Sequence, residues 1–273
     1  HIFPAIAIAN TIKEKQPDAQ IKFVGAVGKM EMEKVPAAGY EIEGLNITGI
    51  QRKLTLSNLA FPFKLIASLL KARSIIKSFK PDAVVGVGGF ASGPVLRMAT
   101  WMGLPTLIQE QNSFAGITNK WVAGSVTKAC VAYDGMEKFF PKDKIIKTGN
   151  PVRKNMVQIE GKRADALQKF GFTSDKPVLL IIGGSLGARS INLALAARVN
   201  ELLAADIQVL WQTGKLFKEE SDKLKEEFKN MPLHITEFIF EMDLAYAAAD
   251  VVVSRAGAIA VSELSLVGKP TIL

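Results

Sequence analysis

Eight short apolar runs, most of them spaced to leave room for a helix, constrain this chain more than any other feature. They are "IKFVGAV" (21–27), "DAVVGVG" (82–88), "PTLIQE" (105–110), "KACVAY" (128–133), "PVLLIIGG" (177–184), "DIQVLWQTG" (206–214), "LHITEFI" (233–239) and "ADVVVSR" (249–255). Continuous Val/Ile/Leu composition, as opposed to strict alternation, suits parallel strands covered on both faces. Helical stretches are read between them at 5–16, 64–79, 92–102, 190–205 and 216–229. The pattern predicts an α/β chain of the doubly wound kind.

A chain of 273 residues, 48% hydrophobic, can bury two moderate cores, the usual outcome above about 150 residues per domain. A boundary is read at "IIKTGNPVRKNM" (145–156), after which "VLLIIGGSLGARSIN" opens a new strand, glycine loop and helix. Residues 1–150 and 151–273 are therefore expected to form two Rossmann-like domains with a ligand cleft between them. The opening "HIFPAIAIAN" reads as a helix with Pro4 in its first turn, where proline costs little. The strand and glycine loop that precede such a helix are expected upstream of His1, and "GKPTIL" likewise breaks off in a strand.

The net charge of +8 is unevenly placed: residues 1–150 hold 19 Lys or Arg against 11 Asp or Glu, whereas 151–273 hold 15 of each. Residues 51–80 contain seven basic residues and no acidic one. Their interleaved Leu and Phe favour an anionic membrane surface, with Phe61, Phe63, Lys64 and Leu65 as candidate docking residues. An amphipathic helix with a basic outer face and no membrane role accounts for the same composition. Nucleic acid is disfavoured because the stretch lacks exposed aromatic interleaving. A single cysteine, Cys130, excludes an intrachain disulfide framework.

Several loops carry candidate chemistry. "GGSLGAR" (183–189) has neither the Gly-Lys-Ser/Thr of a phosphate-hydrolysing loop nor the G-x-G-x-x-G dinucleotide pattern. Its Gly183, Gly184 and Gly187 let backbone amides approach a diphosphate at a helix start, with the Ser185 hydroxyl as an added donor. "GVGGFASGP" (86–94) is a second small-residue turn, with Ser92 as a helix cap. In "QEQNSFAGITNKW" (109–121), Glu110, Gln111 and Asn112 sit at a strand's carboxyl end and suit sugar hydroxyls and amides. Arg153 in "GNPVR" offers a planar donor fork to a phosphate or to a surface carboxylate. In "SRAGAIAVSEL" (254–264), a small-residue loop runs into a helix, and Glu263 is placed to accept ribose hydroxyls. Glu241 and Asp243 read as caps of the helix that follows them. His234 reads as structural, while His1, just before a helix start, stands where a general base belongs. No Cys or His cluster has metal-ligand spacing, and no metal is expected.

In order along the chain, "HIFPAIAIA", "GVGGFASGP", "EQNSFAGITNKW", "GNPVR", "GGSLGAR", "TEFIFEMDLAYAAADVVVSRAGAIAVSEL" and "GKP" resemble the MurG glycosyltransferases, family 28 of the GT-B superfamily. The resemblance covers essentially all 273 residues. It implies a GT-B fold, two Rossmann-like domains with parallel sheets facing across a cleft. Residues 1–150 would bind the acceptor and face the membrane, and 151–273 would bind the nucleotide sugar. The implied reaction is inverting transfer of N-acetylglucosamine (GlcNAc) from UDP-GlcNAc to the N-acetylmuramic acid (MurNAc) 4-hydroxyl of the lipid-linked MurNAc-pentapeptide (lipid I), forming lipid II in peptidoglycan synthesis. Another GT-B enzyme of UDP-GlcNAc, such as a 2-epimerase, is the alternative.

By the same resemblance His1 is the candidate base, and Asn112 stands near the transferred sugar and the acceptor. Arg153 and Ser185 meet the diphosphate, and the Ile239 backbone reads uracil. Gly257, Ala258, Ile259, Ala260, Val261 and Ser262 form the donor-binding loop and helix that end in Glu263 at the ribose. The family often has His at Gln109, Gln at Leu186 and Thr at Ala260. Such enzymes work without a cofactor, peripherally at the cytoplasmic face of the plasma membrane, with other cell-wall synthesis proteins as further partners.

Overall fold

A computed structural model describes residues 1–47, 61–184 and 186–273 of the chain. They form two compact units, His1–Pro151 and Val152–Leu273. In the first, β1 (Lys22–Ala26) pairs in parallel with β2 (Glu41–Leu45). A second parallel sheet runs β3 (Val84–Gly86), β4 (Thr106–Glu110), β5 (Lys128–Val131), β6 (Ile145–Lys147) in spatial order. Ile108 in β4 is fully buried and shares a core with Leu96 and Val122, contributed by the helices Ser92–Trp101 and Ile117–Val122. Between the outer edges of β1 and β3 lies a cavity of about 570 Å³, whose lining includes Ile8, Phe23, Val85 and Gly88.

The strand "EIEGL" is absent from the apolar runs because charge and hydrophobe alternate in it. Lys22 on β1 reaches across to Glu43 at 3.2 Å and Glu41 at 3.6 Å, so the alternation suits a strand with one polar face.

The helix Phe61–Phe79 buries Ser68, Ala72, Ile75 and Ile76, a stripe at helical spacing. Leu65 packs toward Ala26, Leu45 and Ile75, whereas Phe63, Ile66 and Leu70 are exposed. Of the four docking candidates, Leu65 thus lies on the core side of the helix. Residues 51–60 of the basic stretch lie outside the described residues. No helix among the described residues is long and apolar enough to cross a membrane.

The second unit holds β7 (Val178–Ile182), β8 (Gln208–Gln212), β9 (Leu233–Thr236), β10 (Val251–Ser254) and β11 (Thr271–Ile272). They form one parallel sheet in the order β11-β10-β7-β8-β9. Successive side chains serve opposite cores: Leu180 and Leu210 on one face, Ile181, Val209 and Trp211 on the other. The order reverses between β7 and β10, where a doubly wound sheet places its ligands.

The expected helix 190–205 is divided into Arg189–Ala196 and Val199–Ala204. The expected helix 216–229 begins with a tight turn, Lys215–Phe217, that tucks Phe217 against Trp211 at 5.8 Å between ring centroids. Ser92 is the first residue of its helix and not its cap; its buried hydroxyl has no hydrogen-bond partner. Glu241 occupies the cap position of Met242–Ala248 without a capping bond and pairs with Lys169. Asp243 pairs with Lys162 at 2.7 Å.

Candidate active site

In the first unit the polar end of β4 builds a connected network. Gln109, Glu110 and Gln111 are all buried. The Gln111 amide nitrogen donates to the carbonyls of Val87 (3.1 Å) and Gln109 (3.2 Å) and to the Gln109 side-chain oxygen. Three acceptors around one end turn Gln111 Oε1 toward His1, whose Nδ1 lies 2.9 Å away. An amide oxygen only accepts, so the network places a proton on Nδ1, and in the neutral ring the lone pair is then on Nε2.

Gly88 and Gly89 turn with φ of 96° and 81° beside this ring. A Cβ on Gly88 would stand 2.8 Å from His1 Cε1, so only glycine lets the imidazole lie there.

Glu110 pairs with hydrogen-bond donors in place of a cation. Its Oε1 accepts from the Asn112 backbone (3.0 Å) and side chain (3.1 Å). Its Oε2 accepts from the Gly116 backbone (3.0 Å) and Asn119 Nδ2 (2.9 Å). The carboxylate thereby shapes the loop that presents Asn112 at the surface. Gln109 donates to Asn150 Oδ1 at 3.3 Å, and Asn150 donates to the Gln111 carbonyl at 3.2 Å. His1 and Asn112 are thus held through the adjacent residues Gln111 and Glu110.

In the second unit the loop after β7 is seated on the end of β8. Gly184 and Gly187 have φ of 83° and 80°. A Cβ on Gly187 would collide with the Thr213 carbonyl, and one on Gly214 with the Leu186 backbone. Beneath the loop, Asn192 donates to the Thr213 carbonyl at 2.7 Å and accepts from the fully buried Trp211 indole at 3.1 Å. Gln212 donates to the Gly184 carbonyl at 3.0 Å and accepts from the Ile239 amide at 2.9 Å. Ser185 lies outside the described residues.

Gly257 caps the helix Ala258–Val267 in an extended conformation. Its first two turns carry Ala258, Ile259, Ala260, Val261 and Ser262, all half-buried, and the Ser262 hydroxyl bonds back to the Ala258 carbonyl at 2.9 Å. Glu263 is half-buried, and the phenol of buried Tyr246 stands 3.4 Å from its Oε2. Burial pushes the Glu263 carboxyl above its ordinary range, against a weaker opposing pull from Arg153. Burial also lowers the Arg153 guanidinium, offset by Glu263, and raises the Tyr246 phenol well above the usual range. These three groups form one partly desolvated cluster of a cation, a carboxyl and a neutral phenol.

Sequence reasoning placed Gln111 among polar loop residues without its tie to His1, and passed over Gln212, Tyr246 and Asn192. The signal for Gln212 was present: a polar residue ending the apolar run "VLWQTG". Among the described residues no group of three or more His, Cys, Asp or Glu could hold a metal ion.

The comparisons agree with this architecture. Residues 1–131 match the glycosyltransferase family 28 N-terminal domain and residues 178–273 the family 28 C-terminal domain. The chain is 53% identical over 272 residues to a protein of Flavobacterium psychrophilum and 56% identical over 273 residues to one of Cytophaga hutchinsonii. Both are named UDP-N-acetylglucosamine--N-acetylmuramyl-(pentapeptide) pyrophosphoryl-undecaprenol N-acetylglucosamine transferase; each match covers 100% of this chain and 73% of the relative. The crystal structure of Acinetobacter baumannii MurG superposes with a TM-score of 0.68 at 29% identity, covering 98% of this chain and 73% of that one. A UDP-GlcNAc 2-epimerase from Neisseria meningitidis shares the fold at 16% identity, with a TM-score of 0.64 over 99% of this chain and 78% of that one. The α/β fold is of the GT-B class, and the chain belongs to glycosyltransferase family 28.

Proposed function

We propose that this chain transfers GlcNAc from UDP-GlcNAc to the MurNAc 4-hydroxyl of lipid I, forming lipid II. Residues 1–150 bind the acceptor and residues 151–273 bind the donor. The observation that carries the reading is identity at more than half of all positions, over the whole chain, with proteins named for that transfer.

In the reaction His1 Nε2 takes the proton of the acceptor hydroxyl as its oxygen attacks C1 of GlcNAc from the face opposite the diphosphate. The bond from C1 to the β-phosphate oxygen breaks, its electron pair leaves with UDP, and one β-1,4 linkage forms with inversion. Asn112, steadied by Glu110, holds sugar hydroxyls and amide. Charge developing on the diphosphate meets the amides of the Gly183–Gly184–Gly187 loop, the Ser185 hydroxyl and Arg153. Ile239 reads the uracil, the 257–262 loop and helix contact the donor, and Glu263 accepts the ribose hydroxyls.

The lipid-linked acceptor brings the chain to the cytoplasmic face of the membrane as a peripheral protein of cell-wall synthesis, and so of cell shape and division. Exposed Phe63, Ile66 and Leu70 beside Lys64 support docking through the 61–79 helix, with Phe61 at its first turn.

The test is transfer of labelled GlcNAc to lipid I in anionic vesicles, with His1→Ala in parallel. Lipid II formation that drops at least about a hundredfold in the variant is expected. Release of N-acetylmannosamine without lipid II would overturn the assignment in favour of an epimerase, and near-normal transfer by His1→Ala would remove His1 from the base role.

A further inference from the structure

The Gln212 carboxamide touches two segments that the sequence keeps 55 residues apart. At the end of β8, which lies between β7 and β9 in the sheet, its nitrogen donates to Gly184 in the loop after β7 (3.0 Å), and its oxygen accepts from Ile239 after β9 (2.9 Å). The side chain is buried, at 4% exposure. Gly184 also accepts from the Gly187 amide at 2.9 Å, so the carbonyl that Gln212 holds is the one that closes the glycine turn.

A carboxamide is the neutral side chain of this length with a donor at one end and an acceptor at the other. Here both ends are matched, one to a carbonyl and one to an amide. Neither a carboxylate nor a thioether of similar size can satisfy both. A buried group matched at two ends fixes the separation of the segments it joins, since leaving either partner unmet costs more than the bond itself contributes.

We propose that Gln212 is the positioning residue of a nucleoside-diphosphate pocket. It sets the spacing between the loop that receives the diphosphate and the segment that reads the base, so that both parts of one nucleotide bind as a unit. This rests on the UDP-sugar reading above. Because the Ile239 amide is held by Gln212, the base meets a segment already fixed in place. In the nucleotide complex that amide is either shared between Gln212 and the base or passed from one to the other.

The test measures UDP affinity of the full chain by calorimetry for wild type, Gln212→Met and Gln212→Glu from pH 8 to pH 5, with thermal unfolding recorded alongside. The charged or titratable groups on the neighbouring elements include Lys218 and Glu237, paired at 3.3 Å on the segments after β8 and β9, Lys215 after β8, Glu241 after β9, Arg189 after the glycine loop, and His234 on β9, whose imidazole is held below its ordinary pKa by burial. They are common to all three proteins, so variant-to-wild-type ratios isolate residue 212. Gln212→Met is expected to bind UDP about tenfold more weakly at every pH. Gln212→Glu should be weakened as much at pH 8, where a carboxylate faces the Gly184 carbonyl. It should recover toward wild type at pH 5, where the protonated acid both donates and accepts.

Wild type that binds UDP while both variants match it would overturn the positioning role and leave the UDP-sugar reading standing. A pH-independent loss in Gln212→Glu would also overturn it, as general damage. Wild type that binds no UDP would remove the reading on which the proposal rests. Should Gln212→Met fail to fold, the pH response of Gln212→Glu decides alone.

Discussion

His1 Nδ1 lies 2.9 Å from Gln111 Oε1, and the Gln111 amide is oriented by three acceptors at its other end. A neutral amide, in place of a carboxylate, therefore fixes the tautomer of the candidate base. With only two histidines in the chain, multiple-bond ¹H–¹⁵N spectra of the neutral rings separate His1 from His234. The expected pattern for His1 is a protonated Nδ1 and a bare Nε2, giving way to mixed tautomers in Gln111→Met. Transfer by that variant should fall about tenfold, a fraction of the roughly 10²–10⁴-fold that a general base supplies.

Glu110 accepts four hydrogen bonds while buried at 2% exposure. Glu110→Ala leaves those donors unmet and should lower unfolding free energy by about 3 kcal/mol, read as a shifted urea midpoint. Glu110→Gln should fall between, because its amide keeps one acceptor and turns donors toward donors.

Gly88 and Gly149 both have positive φ, but a Cβ at Gly88 meets His1 whereas one at Gly149 meets nothing within 4 Å. Each alanine variant should lose about 1–2 kcal/mol from the left-handed backbone. Only Gly88→Ala should also displace the imidazole. Matched melting temperatures with activity lost in one variant alone is the expected result; equal activity would detach Gly88 from the site.

Asp250 ties the start of β7 to the helix Arg163–Phe170: its Oδ2 accepts from Arg163 at 3.0 Å and from the Val178 amide at 2.8 Å. Desolvation raises its pKa, but the Arg163 and Val178 bonds outweigh that and hold it below 3.8. A depressed folded pKa means stabilisation that is full above about pH 5 and fades as the pH falls through 3.8 toward the folded value. Since the pair is partly exposed, the contribution is small. Asp250→Asn should lower the melting temperature by a few degrees at pH 7 and flatten its acid dependence.

Phe63→Glu with Ile66→Glu should abolish sedimentation with anionic vesicles without changing the melting temperature, because both side chains are exposed. Leu65→Ala, on the core side of the same helix, should cost about 1–2 kcal/mol and leave vesicle binding intact.

The eight apolar runs made the parallel sheets legible because buried parallel strands need unbroken Val, Ile and Leu. Strand β2 escaped because Glu41 and Glu43 serve Lys22 across the pair, a relation that depends on register. Glycine loops were readable as turns, yet what each glycine makes room for was not: His1 at Gly88 and Thr213 at Gly187 come from distant parts of the chain. The same holds for Gln212, whose partners lie 28 and 27 residues away. The role of Leu65 turned on helix phase against the core, and residues 64–79 carry hydrophobes on more than one face.

Trp211 gives the second unit an optical reporter of its own. It is fully buried beneath the glycine loop and linked through Asn192 to the carbonyl on which Gly187 rests, while the other two tryptophans, Trp101 and Trp121, belong to the first unit and are exposed. With those two replaced by phenylalanine, the emission of a single indole follows the loop in real time. Occupancy of this glycine loop by UDP, as proposed, can then be timed by stopped flow, separately from any chemistry on the sugar.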